Sequence, residues 1–94
     1  PLLDSWVPVM GVPRPVVIRY RAMRTRWGSC NHRTGAITLN TTLVRFPVAA
    51  LEYVIVHELA HFRHADHGRG FWSLVAAVLP DHVERRKLLS AYTT

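Results

Sequence analysis

Tyr53-Val-Ile-Val-His57-Glu58-Leu-Ala-His61-Phe-Arg-His64-Ala65, continued by Asp66-His67-Gly68, gathers four of the chain's six histidines into one largely apolar run. Residues four apart lie one above the other on an α-helix, so His57 and His61 can turn two imidazoles toward one point. Glu58 follows the first histidine about 100° round the helix, within reach of that point but off the line of the histidines. This is the H-E-x-x-H pattern, in which two ligands and one general base occupy consecutive turns. Leu51, Val54, Ile55, Val56, Leu59 and Phe62 surround it and make the helix apolar nearly all round. Such a helix is buried. Imidazoles and a carboxylate in the middle of a buried helix are costly unless they are paired, hydrogen-bonded or bound to a metal. A zinc ion resolves the conflict, and one Zn2+ per chain is the expected cofactor.

A catalytic zinc site takes three protein ligands and leaves a position open for water. His64 shares a face with His57 and His61 if the helix continues, but it lies two turns, about 10 Å, beyond His57. His67 comes after Asp66 and beside Gly68, where the chain can fold back, and it is the expected third ligand. His64 is then a neighbouring or substrate contact. The spacing matches the metzincin arrangement with histidine at the turn glycine, but no methionine follows Met23, so the Met-turn of that clan is absent. His82 and His32 read as a helix-start residue and a turn residue.

Ninety-four residues suit one domain, 1–94, and a chain this short buries only about two-thirds of its unfolded surface. With 49% apolar residues and three tryptophans it can build a core. The single cysteine, Cys30, excludes an internal disulfide and fits a reducing cytoplasm, with a buried thiol as its default role. Charges interrupt every apolar run, which excludes a membrane-spanning helix. The net charge of +6 comes from eleven arginines and one lysine against three Asp and three Glu. The arginines are spread from Arg14 to Arg86, a distribution compatible with nucleic acid or another anionic partner.

In chain order, the prolines and glycine of 1–15 limit any helix there to Leu2–Met10, a lid or a truncated element. Val16–Tyr20 reads as a strand. Arg26-Trp27-Gly28-Ser29-Cys30 is a second strand or a bend, in which Trp27 packs on the histidine helix and Gly28 lets the backbones approach. Asn31–Gly35 is turn chemistry, and Ala36–Asn40 alternates as a third strand, which predicts a hairpin. Pro47 opens the histidine helix, expected to run to His64 or Ala65. Phe71–Leu79 and His82–Tyr92 are two further helices, with Pro80 between them and Asp81 as a cap. The fold class is therefore α+β: a short, mostly antiparallel sheet packed on one helix and followed by two more.

Two stretches together resemble the YgjP-like metallopeptidase domain, a relative of the SprT-like zinc proteases. They are Arg26-Trp27-Gly28-Ser29-Cys30 with Ile37-Thr-Leu-Asn40, and His57-Glu58-Leu-Ala-His61 with Asp66-His67-Gly68 and Phe71-Trp72. The resemblance runs from about Val16 to Leu89. It implies a small zincin-like fold, zinc on His57, His61 and His67, catalysis by Glu58, and peptide or protein substrates. The expected activity is hydrolysis of a peptide bond by a metal-activated water with Glu58 as base. His64, His82 and Arg26 are candidate donors to the developing oxyanion. Strand Ala36–Asn40 is expected to hold an extended peptide if it is a sheet edge. A metal-dependent phosphate-ester hydrolase and a zinc-stabilised nucleic-acid module are the alternatives. The few carboxylates weaken the first, and the single cysteine weakens the second.

Overall fold

The fold is assembled on the histidine helix. In the computed structural model, which describes residues 2–15 and 17–91, the elements are α1 (Leu2–Met10), β1 (Val17–Arg21), β2 (Gly28–Asn31), β3 (Ala36–Asn40), a 3-10 turn (Thr41–Arg45), α2 (Val48–Ala60), α3 (Arg69–Val78) and α4 (His82–Ala91). Val16 and Tyr92, expected ends of a strand and a helix, lie outside the described residues. α2 packs against the sheet and against α1, α3 and α4, which is why its apolar residues run all round. Ala50, Val56, Leu59 and Ala60 have no exposed surface, and Ile37, Phe71 and Val75 close over them.

α2 is shorter than the sequence predicts. It ends at Ala60 with His61 as the cap, because His61 N bonds back to Glu58 O at 3.2 Å and Phe62 N to Leu59 O at 3.0 Å. These i→i−3 bonds tighten the last turn toward 3-10 geometry and end the regular helix. His64 therefore does not share the helix face with His57 and His61. α1 ends in a Schellman motif: Gly11 takes φ 66°, Gly11 N bonds Pro8 O, and Val12 N bonds Val7 O. Met10 and Val12 join the core, so this segment packs on the α2 side of the molecule. Among the described residues none of α1 lines the cavity treated below.

The sheet is mixed, in the order β1-β3-β2. β2 and β3 form the predicted hairpin, with Ser29 opposite Thr38. Asn31 Oδ1 accepts from Arg33 N and Thr34 N, and Gly35, at φ 76°, closes the loop onto Asn31 O at 2.8 Å. β1 joins β3 in parallel, with Ile18 opposite Ile37. β3 is thus the central strand, which corrects the expectation that Ala36–Asn40 offers a free edge. The free edge beside α2 belongs to β2. Buried Asn40 spends its whole side chain at the end of β3. Its Nδ2 donates to Met23 O at 3.0 Å and Arg26 O at 2.8 Å, and its Oδ1 accepts from Thr42 N at 3.0 Å and Thr42 Oγ1 at 2.9 Å.

α4 is fixed to α2 by Arg85. Its Nη1 donates to Glu52 Oε1 at 3.0 Å and to Ala49 O at 3.2 Å, and its Nε donates to Asp81 Oδ1 at 2.9 Å. No described helix is long and apolar enough to cross a membrane.

Candidate active site

His57 and His61 leave the exposed end of α2, and His67 returns to them from the loop before α3. That loop is shaped by Asp66, whose Oδ1 accepts from Gly68 N at 3.1 Å. One nitrogen from each of the three imidazoles lies within 4.8 Å of the others. His61 Nε2 and His67 Nε2 are 3.1 Å apart. Two ligand nitrogens on a tetrahedral zinc with bonds of about 2.0–2.1 Å stand roughly 3.3 Å apart, so this spacing suits a shared ion. His61 Nδ1 lies 3.0 Å from the carbonyl of His64. Donation to that carbonyl sets the tautomer that leaves Nε2 with its lone pair toward the cluster. His57 Nδ1 is sealed from solvent without a hydrogen bond; Glu58 Oε2 is 3.3 Å away but off the bonding line. A buried orphan nitrogen and two imidazoles facing each other are the marks of a cation site, and the residues present fit zinc.

His67 is held below the ordinary histidine value of 6.5, first by lost hydration and then by the imidazoles of His57 and His61. It is accordingly neutral near pH 7, the form a metal needs. Phe71, fully buried, sits beneath all three rings with centroids at 5.0, 4.7 and 4.8 Å from His57, His61 and His67. Trp72 stacks on His67 at 6.1 Å and on His82 at 5.7 Å.

Glu58 is 5% exposed yet lines an open cavity of about 840 Å³ in front of the histidines. Its position depends on Gly28. A Cβ there would stand 3.1 Å from Thr38 O and Val54 Cγ1 and 3.2 Å from Glu58 Cγ, so a larger residue would have to push β2 and α2 apart by a few tenths of an ångström. Gly28→Ala is expected to cost about 1–3 kcal/mol in urea unfolding and to lower turnover by moving Glu58; unchanged values for both would show that the strand has room to shift.

Of the other residues singled out in the sequence, Arg26, Trp27, Cys30 and His32 line the cavity. His64 and His82 do not. The ring of His64 lies against Gly70, where a Cβ would meet its Cε1 at 2.7 Å, so the residue serves the cluster through its carbonyl. Cys30 lies outside the histidine cluster. Burial, aided by the charge of Glu58, pushes its thiol from 9.0 up to about 11. At pH 8 Cys30 should react with iodoacetamide about 100-fold more slowly than an ordinary thiol. A raised folded value also means that the thiol favours the native state below pH 9, and that this contribution fades as pH rises toward 11. Reaction at the rate of free cysteine at pH 8 would contradict this environment.

Sequence reasoning missed three parts of the wall. Tyr53 stands one helical turn before His57, with ring centroids 5.9 Å apart, and its i, i+4 spacing was the available signal. Desolvation raises its phenol above the usual 10.0, with Arg86 opposing and Glu58 adding. Trp72 was marked only by its place beside Phe71. Arg86, brought by α4, had no local signal at all.

A domain with this architecture and this histidine cluster falls in the class of metallopeptidases. The profile of the YgjP-like metallopeptidase domain matches residues 1–92, and the chain belongs to that family. Among solved structures, the metallopeptidase zymogen of Pyrococcus abyssi abylysin is 27% identical, with a TM-score of 0.79 over 93% of this chain and 84% of that one. The zymogen of Methanocaldococcus jannaschii jannalysin, at 22% identity, shares the fold with a TM-score of 0.77 over 96% of this chain and 93% of that one. No curated protein matches.

Proposed function

We propose that this metallopeptidase is zinc-dependent, that His57, His61 and His67 hold the ion, and that Glu58 is the general base. The observation that carries the reading is the three-imidazole cluster beside a carboxylate that faces the same cavity without joining the cluster. Three imidazole nitrogens suit zinc better than magnesium or calcium, which want oxygen ligands. They also leave the fourth position open. Bound zinc supplies Lewis-acid activation of water and of the scissile carbonyl.

The protein's own groups do the rest. Glu58 accepts a proton from the attacking water and passes it to the leaving amine. The phenol of Tyr53, kept protonated, is a donor at the cavity wall for the developing oxyanion, and Arg26 is a second candidate. The free edge of β2, whose residues Gly28, Ser29 and Cys30 line the cavity, can take an extended peptide by strand addition. Peptide or protein substrates accord with membership of the metallopeptidase family and with this edge. The lone thiol fits a reducing cytoplasm. The basic surface supports nucleic acid as an accessory partner only.

The direct test is digestion of a mixed peptide library by zinc-loaded protein, read by mass spectrometry. New termini that disappear after chelation and return with zinc support the reading. An unchanged library at stoichiometric zinc would overturn it.

A further inference from the structure

Beside the active-site cavity lies a second, open one of about 300 Å³, whose lining includes Arg21, Arg24, Thr25, Arg26, Ser29 and Thr38. Thr25, Arg26 and Ser29 also line the first cavity, so the two share a wall. Ser29 and Thr38 are paired across β2 and β3 and face away from core residues Ile37 and Leu39. The loop that carries Arg24 and Arg26 is pinned by buried Asn40, through Met23 O at 3.0 Å and Arg26 O at 2.8 Å, and by Asn40 N to Trp27 O at 2.9 Å. Among the described residues, no carboxylate forms an ion pair with any of these arginines; Glu52 and Asp81 are taken by Arg85, and Glu58 faces His57.

Scattered surface arginines are ordinarily solvated and bind nothing in particular. Here three exposed arginines instead line one concavity together with the hydroxyl-bearing Thr25, Ser29 and Thr38, and the loop that carries Arg24 and Arg26 is held by Asn40. That is the chemistry of carboxylate recognition. A ligand that reaches both cavities through their shared wall is one that already occupies the first, namely the substrate chain on β2. We infer that Arg21 and Arg24, next to Arg26 on the shared wall, form a subsite for an acidic side chain of the polypeptide substrate, at one fixed position a few residues from the scissile bond. The inference rests on the peptidase reading and names its substrate class.

The test uses peptides that carry a single Glu at successive positions of a neutral sequence, each with a Gln control. Binding to zinc-loaded Glu58→Gln is read by fluorescence anisotropy, and kcat and KM are measured with the unsubstituted protein. At one position Glu should improve binding and KM by about tenfold over Gln, with kcat little changed. Arg21→Gln/Arg24→Gln should remove that advantage, and the charge-matched Arg45→Gln/Lys87→Gln should keep it. Arg24→Glu should turn the preference at that position toward Lys, which guards against a double variant that fails to fold.

Indifference to Glu at every position, an equal gain at all positions, or an advantage that survives Arg21→Gln/Arg24→Gln would overturn the subsite. So would Arg24-dependent binding of a single-stranded oligonucleotide without any Glu preference, which would assign the cavity to a polyanion. Position-specific binding without turnover would refute the peptidase reading and leave the subsite standing. Turnover without Glu preference would do the reverse.

Discussion

Glu58→Gln should lower kcat for peptide hydrolysis by about 10²- to 10⁴-fold and leave the zinc content unchanged. The amide has the shape of the carboxylate and fits the same slot between Gly28 and α2, where the residue is 5% exposed. It cannot take a proton from water. Glu58 is not part of the histidine cluster, so the metal does not depend on it. The variant carries an internal control, because the charge of Glu58 is one cause of the raised value of Cys30. Removing that charge should make the thiol more reactive at alkaline pH. Turnover retained in Glu58→Gln would eliminate the base, whereas lost zinc would make Glu58 a ligand.

Zinc at about 1,000 times its Kd should stabilise the protein by roughly 4 kcal/mol, a rise in Tm on the order of 15–30 °C for a domain of this size. His57→Ala and His67→Ala should abolish most of that rise and weaken zinc binding by more than about 100-fold, since loss of an outer partner alone costs 10- to 100-fold. The cluster is partly organised before the ion arrives: Phe71 supports the rings from below, Trp72 stacks on His67, and the His64 carbonyl orients His61. Because His67 is held below 6.5, its competition with protons begins at lower pH than for an ordinary histidine, and zinc binding should persist correspondingly further into acid. Calorimetric Tm with and without zinc, across pH, checks both statements. Zinc retained in His67→Ala would remove that histidine from the ligand set.

Much of the candidate site is legible in the sequence because its spacing is local. A period of 3.6 residues puts His57, Glu58 and His61 on one end of a helix whatever surrounds it. The turn residues Asn31 and Gly35, and Gly11 at the end of α1, announce their backbone geometry by residue type alone. Gly28 also reads correctly, since a glycine in a strand marks a close approach and the crowded space around it bears this out. Pro47 marks the start of α2 as the residue that caps it.

Other features were decided only when distant segments met. The parallel pairing of β1 with β3 places β3 in the centre and hands the cavity edge to β2, and strand order depends on pairing partners far apart in the chain. One local change is also invisible in helix periodicity: the last bonds of α2 tighten to i→i−3 at Ala60, and the carbonyl of His64 then lies 3.0 Å from His61 Nδ1. Arg86 reaches the cavity because α4 packs on α2, where buried Leu89 joins the core and Arg85 bonds Glu52 and Ala49. The sequence by itself thus determined the histidine helix, the glutamate beside its first histidine and the hairpin, since these follow from dihedral preferences and short spacings. The tertiary structure alone decided which strand borders the site, where the third imidazole meets the first two and which arginines share a cavity, because each depends on packing between residues that no local rule brings together.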